Sequence, residues 1–212
     1  MLTTNQVNRL KNLKRLFFWS AWKRILLFIT EPTHDRLFER FKKINKNTYL
    51  TNPEPWLTFT AIDFIKERVK EGLKILEWGS GSSSLWFDQN GCVVTAIEHN
   101  EEWANIVKGM KYENINVIFE KEKSDYVKPE INFSTINIFL IDGIYRNECA
   151  SYLVELIKSG EILSGAMIIF DDTSRLEYQE SIQSLTKCCQ EVYHFTGISN
   201  IVIDKMTSVY IV

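Results

Sequence analysis

The sequence predicts an α/β protein in which a doubly wound, mostly parallel sheet carries helices on both faces. From residue 73 onward, short and nearly continuous apolar segments alternate with amphipathic segments of helical length. Apolar segments of this kind are typical of strands buried on both faces, and the alternation implies right-handed crossovers between parallel strands. The last β-type segments follow one another without a helix between them, which indicates an antiparallel edge to the sheet.

The composition is that of a single globular domain with a small extension. The chain has 212 residues, of which 45% are hydrophobic and 25% are charged. Its formal net charge is −2, so no excess of positive charge favours nucleic acid or acidic lipid, and we expect no nucleic-acid partner. The four cysteines form no C-x-x-C pair and are expected to be reduced thiols in a cytoplasmic protein.

Residues 1–56 are predicted to form a separate helical cap or extension, and residues 57–212 the main domain. Helical periodicity runs from Val7 to Ile29, and a loop with two prolines covers Asn45–Trp56. Within the helix, Leu16–Ile29 mixes aromatic and basic residues and is too short and too charged to span a bilayer. Two interpretations stay open: it docks on the domain as a cap, or it lies on a membrane surface.

The elements of the main domain follow in order. A helix is predicted over Leu57–Glu71, and Gly72 stands where a C-cap glycine would. The parallel strands are predicted at 74–78, 93–98, 115–120, 136–142 and 166–171, with helices near 83–89, 101–110, 146–158 and 176–187. The β-type segments that finish the chain are 191–195, 199–204 and 207–212.

The first strand ends in EWGSGSSS, residues Glu77–Ser84. Gly79 and Gly81 allow a tight turn and the close approach of a ligand, while the serines can cap the next helix. Glu98 ends the second strand about 20 residues further on, where an acid can accept hydrogen bonds from the hydroxyls of a ribose. By itself this pattern fits a nicotinamide dinucleotide as well as an adenosine ligand.

Two details favour an adenosine ligand that carries an amino acid instead of phosphates. Glu77 directly precedes the glycine loop, where a carboxylate would repel a pyrophosphate and attract an ammonium group. Ser84 stands in place of the third glycine of G-x-G-x-x-G, so the close strand–helix approach of dinucleotide sites is not enforced. S-adenosylmethionine satisfies both conditions.

The stretch EWGSGSSS followed by IEHNEEW resembles motif I and the next acidic strand end of class I S-adenosylmethionine-dependent methyltransferases. The resemblance covers about residues 57–212 and implies a Rossmann-like, seven-stranded sheet with one reversed strand. The family often has a third glycine where Ser83 stands. The cofactor-binding residues that the resemblance implies are Glu77, Gly79, Ser80, Gly81, Ser83, Glu98, His99 and Asp142.

A second set of acids follows the fourth and fifth strands. Asp142 closes the fourth strand, and Asp171 and Asp172 close the fifth. Because adjacent parallel strands lie about 4.8 Å apart, these side chains can converge on one point. Three unpaired carboxylates would repel one another, and a hard divalent cation such as Mg²⁺ would remove that repulsion. The cation would also acidify an acceptor hydroxyl.

This arrangement is similar to metal-dependent O-methyltransferases of the catechol type and of the type that acts on antibiotic sugars. It implies Asp142, Asp171 and Asp172 as metal ligands, and Asp142, Tyr145 and Asp172 as catalytic residues. The match is incomplete, because Tyr145 stands where the catechol type has a lysine base and Ile144 where the sugar type has a second aspartate.

An alternative without a metal stays open for the same residues. Asp171 and Asp172 would then cap the following helix or pair with Arg146 or Arg175, and Asp142 would contact the cofactor or the acceptor directly.

The function expected from these residues is O-methylation of a small molecule or a sugar by S-adenosylmethionine. A nicotinamide-dependent oxidoreductase is the first alternative, against which Glu77 and the antiparallel finish argue. The second is a non-catalytic adenosine-binding protein with the same fold, which stays open because the match that would assign the base is incomplete. The oligomeric state is also left open, a homo-oligomer included.

Overall fold

A computed structural model describes residues 53–110, 112–199 and 205–212. The helices predicted before residue 53, the surface-helix alternative and most of the predicted segment 199–204 lie outside these ranges. Within the described ranges, no helix is long and apolar enough to cross a membrane.

Seven strands and six α-helices make up the described part of the chain. The strands are β1 (Lys74–Trp78), β2 (Val93–Glu98), β3 (Ile115–Phe119), β4 (Ile138–Ile141), β5 (Met167–Phe170), β6 (Glu191–Gly197) and β7 (Lys205–Ile211). The helices are α1 (Phe59–Lys66), α2 (Ser82–Gln89), α3 (Glu101–Lys108), α4 (Lys123–Val127), α5 (Arg146–Ser159) and α6 (Gln179–Cys188).

The strands form one sheet in the order β3-β2-β1-β4-β5-β7-β6. Five strands run parallel, and β7 is antiparallel to both of its neighbours, β5 and β6. The predicted seven-stranded, doubly wound sheet with one reversed strand is therefore confirmed. The order reverses at β1, which pairs with β2 on one side and β4 on the other. In open sheets of this kind the crevice at the carboxyl ends beside that reversal is the usual ligand site.

The sheet separates two apolar cores. Because successive side chains of a strand point to opposite faces, Phe139 and Ile141 of β4 pack with α5, whereas Ile138 and Leu140 pack on the side of α1. Every residue of β4 and β5 is buried, as their continuous apolar sequences predict. Burying each such side chain is worth about 1.5–3 kcal/mol, which fixes the strand ends that carry the site.

Two local predictions differ from the structure. The first helix begins at Phe59 instead of Leu57, because Thr58 is extended and forms an isolated β-bridge with Ser199. Helix α4 was not predicted, because its five residues are too few to show a helical period. It buries Tyr126, which proves important for the loop after β4.

Candidate cofactor and acceptor site

The carboxyl ends of β1, β2, β4 and β5 open into a cleft of about 680 Å³. All eight residues predicted to bind the cofactor lie along it. The cleft is lined by Trp56, Glu77, Gly79, Ser80, Gly81, Ser82, Ser83, Glu98, His99, Trp103, Asp142, Gly143, Arg146, Asp172 and Lys205. One end is therefore made by the glycine loop and the end of β2, and the other by charged side chains from β4, β5 and β7.

The glycine loop packs against Gly143, in the loop after β4, which was not predicted from the sequence. Gly79 adopts a φ of +110°, and a Cβ there would lie 3.2 Å from the backbone nitrogen of Gly143. A Cβ at Gly143 would in turn overlap the Tyr126 hydroxyl and lie 2.8 Å from the Trp78 carbonyl oxygen. The loops after β1 and β4 thus pack backbone against backbone. The sequence IDGIY contains this glycine, but nothing nearby in the sequence shows what it contacts.

Glu77 lies beneath the glycine loop and is only 1% exposed. The hydroxyls of Ser83 and Ser84 both donate hydrogen bonds to its carboxylate, the latter at 2.5 Å. Burial raises the pKa of Glu77 to about 7; the two serines lower it and the negative charge of Glu98 raises it further. Ser84, which stands in place of the third glycine of G-x-G-x-x-G, therefore helps Ser83 to hold Glu77 in place.

Glu98 is 4% exposed and held in a fixed orientation at the end of β2. Its Oε2 accepts a hydrogen bond from the Ser80 hydroxyl at 2.9 Å, and its Oε1 accepts one from the Asn100 backbone at 2.9 Å. His99 Nδ1 lies 3.0 Å from the same Oε1. Because each carboxylate oxygen can accept more than one hydrogen bond, Glu98 keeps acceptor capacity toward the cleft.

Trp103 closes the same end of the cleft and was not predicted. Asn100 caps α3 by accepting a hydrogen bond from the Trp103 backbone at 2.9 Å, which brings the indole back over the glycine loop. The indole Nε1 donates to the Ser80 carbonyl oxygen at 2.9 Å, and the ring is 39% exposed. The sequence signal was a tryptophan in the first turn after the acidic strand end.

The other end of the cleft is organised by Arg146, at the start of α5. Its Nη2 lies 3.0 Å from Asp142 Oδ1, and its Nη1 lies 3.4 Å from Asp172 Oδ2 and 3.9 Å from Asp171 Oδ2. It also donates to the Asp142 and Gly143 carbonyl oxygens, at 2.7 and 2.9 Å. One guanidinium therefore connects the loops after β4 and β5.

Lys205, the first residue of β7, is a second cation in this cluster. Its Nζ lies 2.6 Å from Asp171 Oδ2 and 3.3 Å from Asp172 Oδ1, and it donates to the Trp56 carbonyl oxygen at 2.6 Å. The side chain is 6% exposed. Sequence reasoning missed it, because Lys205 is 33 residues beyond Asp172 and no motif marks it.

The carboxylates of the cluster are strongly affected by burial. Burial raises the pKa of Asp171 to about 8 and the charge of Asp142 raises it further, whereas Lys205 lowers it. Burial also raises the pKa of Asp142, and Arg146 lowers it. Asp171 is fully buried and its Oδ1 accepts a hydrogen bond from the Thr207 hydroxyl at 2.9 Å, while the Asp142 side chain is 24% exposed. Asp142 is thus the more accessible acid.

The predicted metal ligands converge, but they do so around two cations. Arg146, Lys205 and Arg175 already pair with Asp142, Asp171 and Asp172, so this donor set as it stands does not fit a divalent cation. Across the described residues, no group of three or more acidic, histidine or cysteine side chains is placed to hold a metal ion. The alternative in which the acids pair with arginine describes the geometry: Asp172 contacts Arg146 and also Arg175, the latter at 2.5 Å.

Tyr145 does not lie in the cleft, where the predicted catalytic role would require it. The residue has a left-handed backbone, with φ 53°, directly before α5. Its ring packs edge-on against Tyr126, with 5.8 Å between the centroids, and Lys123 lies 5.0 Å from the ring centroid. These contacts direct the phenol toward α4, and Tyr145 is not among the residues that line the cleft.

Comparison with known proteins finds similarity at the level of structure. No family model and no curated protein matches the sequence. A methyltransferase from Pyrococcus furiosus matches with a TM-score of 0.57 and 13% identity, over 84% of this chain and 98% of that one. An O-methyltransferase from Bacillus cereus in complex with SAH matches with a TM-score of 0.55 and 16% identity, over 91% and 97%.

A methyltransferase-like protein from Silicibacter pomeroyi matches with a TM-score of 0.51 and 19% identity, over 75% of this chain and 89% of that one. The chain therefore has the fold of these methyltransferases.

Proposed function

We propose that this chain is an S-adenosylmethionine-dependent methyltransferase that methylates an oxygen atom of a small molecule or a sugar. The observation that carries the proposal is the cleft itself. It joins the glycine loop and Glu98 at one end to the accessible Asp142 at the other, within the fold of solved methyltransferases. A cofactor bound along the loop would present its methyl group toward the charged end.

The cofactor end offers one partner for each part of S-adenosylmethionine. Glu98 would accept hydrogen bonds from the ribose hydroxyls, with His99 and Trp103 beside the adenine. Gly79, Gly81 and Glu77 would surround the methionine moiety. Glu77 in its ionised form attracts the ammonium group, and the same charge would repel a pyrophosphate, which argues against a nicotinamide dinucleotide.

The acceptor end supports attack by a hydroxyl oxygen. The oxygen would attack the methyl carbon as the carbon–sulfur bond breaks, which converts the sulfonium to a thioether, and the hydroxyl proton would pass to Asp142. Burial raises the pKa of the Asp142 carboxyl, which makes the ionised group a stronger base. Holding the two reactants in line supplies much of the rate, because the effective molarity of an oriented nucleophile is large.

A methyl-transfer assay tests this function. The protein is incubated with S-adenosylmethionine labelled in its methyl group and with panels of hydroxylated small molecules and sugars. We expect transfer to at least one class of hydroxyl, and a loss of about 10²–10⁴-fold in Asp142→Asn, the range of general-base catalysis. Asp125→Asn is the matched control, because Asp125 is exposed on α4 and does not line the cleft.

The outcomes separate the three functions. Cofactor binding without transfer to any panel would favour the non-catalytic adenosine-binding alternative. Binding of a nicotinamide dinucleotide in place of S-adenosylmethionine would contradict the proposal outright.

A further inference from the structure

We propose that Lys205, together with Arg146, takes the place of a divalent cation among Asp142, Asp171 and Asp172, so that methyl transfer in this cleft needs no metal. The inference rests on the proposed function for its catalytic meaning. Its structural basis is the position of one buried ammonium group.

The acids of this cluster are held together by cations from two different elements, α5 and β7. Three carboxylates at the ends of β4 and β5 lie within 4 Å of the Arg146 guanidinium, an arrangement that is unstable without positive charge. Lys205 Nζ is 2.6 Å from Asp171 Oδ2 and 3.3 Å from Asp172 Oδ1, and Arg146 Nη2 is 3.0 Å from Asp142 Oδ1. A calcium or magnesium ion would sit about 2.0–2.6 Å from such oxygens. The ammonium therefore occupies the space that an ion bridging Asp171 and Asp172 would need.

The reversed strand holds Lys205 in this position. In β7, Lys205 pairs with Gly197 of β6, and Ser208 pairs with Phe170, the last residue of β5. Because β7 is antiparallel to β5, the start of β7 lies next to the loop that follows β5. The ammonium also donates to the Trp56 carbonyl oxygen, and Thr207, two residues along β7, donates to the other oxygen of Asp171. Both oxygens of Asp171 are thus contacted from the same strand.

A fixed ammonium can do part of what a metal does in such a site. Lys205 pairs with Asp171 and Asp172, and both Lys205 and Arg146 line the cleft beside Asp142. Preorganised positive charge stabilises an oxygen that gains negative charge in the transition state. We assign Lys205 as a positioning residue, which acts by holding the aspartates in their arrangement.

The test measures the binding of a metal ion alone and needs no acceptor substrate. Mn²⁺ is titrated into the full chain, followed by its electron paramagnetic resonance signal, for wild type, Lys205→Ala and Lys205→Arg. We expect no binding by wild type or Lys205→Arg up to about 1 mM Mn²⁺. Lys205→Ala, which opens the space and removes the charge, should bind with a dissociation constant on the order of 10⁻⁴–10⁻³ M, as weak carboxylate sites do. Lys205→Ala/Asp171→Asn should lose that binding, whereas a purely structural lysine would produce none of these differences.

Two results would overturn the inference. One is Mn²⁺ binding by wild type that Asp171→Asn removes. The other is a Lys205→Ala protein with an unchanged circular dichroism spectrum that binds no Mn²⁺. If Lys205→Ala does not fold, the wild-type titration still decides.

Titration with S-adenosylhomocysteine in the same samples keeps this question separate from the proposed function. Failure of that titration in wild type concerns the function alone, and leaves the Mn²⁺ result as it stands.

Discussion

The two ends of the cleft are built by different means. The cofactor end uses backbone, glycines and hydroxyl hydrogen bonds, and its residues all lie within 77–103 of the chain. The acceptor end uses ion pairs between residues from three distant segments: the start of α5, the end of β5 and the start of β7. The first is thus mostly local and is supported from outside that range by Gly143 in the loop after β4, whereas the second exists only once the whole sheet has assembled.

This difference predicts that mutations at the acceptor end affect folding more than cofactor affinity. The largest effect is expected for Lys205→Met, which leaves Asp171 buried without its cation. Removing one partner of a buried ion pair typically costs about 3–5 kcal/mol, so the free energy of unfolding should fall by that amount in urea denaturation. Lys205→Met/Asp171→Asn should recover part of the loss. A decrease below about 1 kcal/mol in the single variant would show that the ion pair is not a stabilising link.

At the cofactor end the dominant effect should be on binding. Glu98→Ala should weaken S-adenosylmethionine binding by about 1.5–3 kcal/mol, the scale of hydrogen bonds to a charged group. Calorimetric titration of both proteins checks this, with Glu120→Ala as the matched control. Glu120 directly follows β3 beside Glu98 and does not line the cleft. Unchanged affinity in a folded Glu98→Ala protein would remove the ribose assignment.

Glu77 should make cofactor affinity depend on pH. Its pKa is raised to about 7, so below pH 7 the carboxyl is mostly neutral and must lose a proton to attract the ammonium group. Affinity for S-adenosylhomocysteine should therefore fall by about fivefold to tenfold from pH 7.5 to pH 6, since one pH unit changes an ionised fraction at most tenfold.

The comparison variant is Glu77→Gln, in which this dependence should disappear. The range stops at pH 7.5 so that deprotonation of the ligand's own amino group at higher pH does not contribute. Equal slopes in the two proteins would exclude Glu77 as the titrating group.

The smallest effect is expected for Trp103→Phe. This change keeps an aromatic ring over the glycine loop and removes the hydrogen bond from Nε1 to the Ser80 carbonyl oxygen. The loss in cofactor affinity should be at most about 0.5–1.5 kcal/mol, because the lost bond orders the glycine loop and does not contact the ligand. Thermal unfolding measured in parallel should change little, since the indole is 39% exposed. A large loss of stability would instead assign Trp103 to the core.

The same difference explains how much could be predicted from the sequence. The sheet followed from the alternating segments, and the cofactor end from EWGSGSSS and Glu98, because strand periodicity and the glycine loop are local. Lys205 and Gly143 could not be found in this way. Their contacts depend on the pairing of β7 with β5 and on the approach of two loops, and neither leaves a pattern in the neighbouring residues. The metal hypothesis has the same origin: the three acids are visible at the predicted strand ends, whereas the cations that pair with them are placed only by the fold.

Calorimetric titration of the intact chain with S-adenosylhomocysteine tests the central claim most directly, namely that this cleft binds the methyl-donor cofactor. We predict saturable one-to-one binding that excess NAD does not reduce and that Glu98→Ala weakens. No heat of binding with a folded protein, or displacement of the ligand by NAD, would contradict the account.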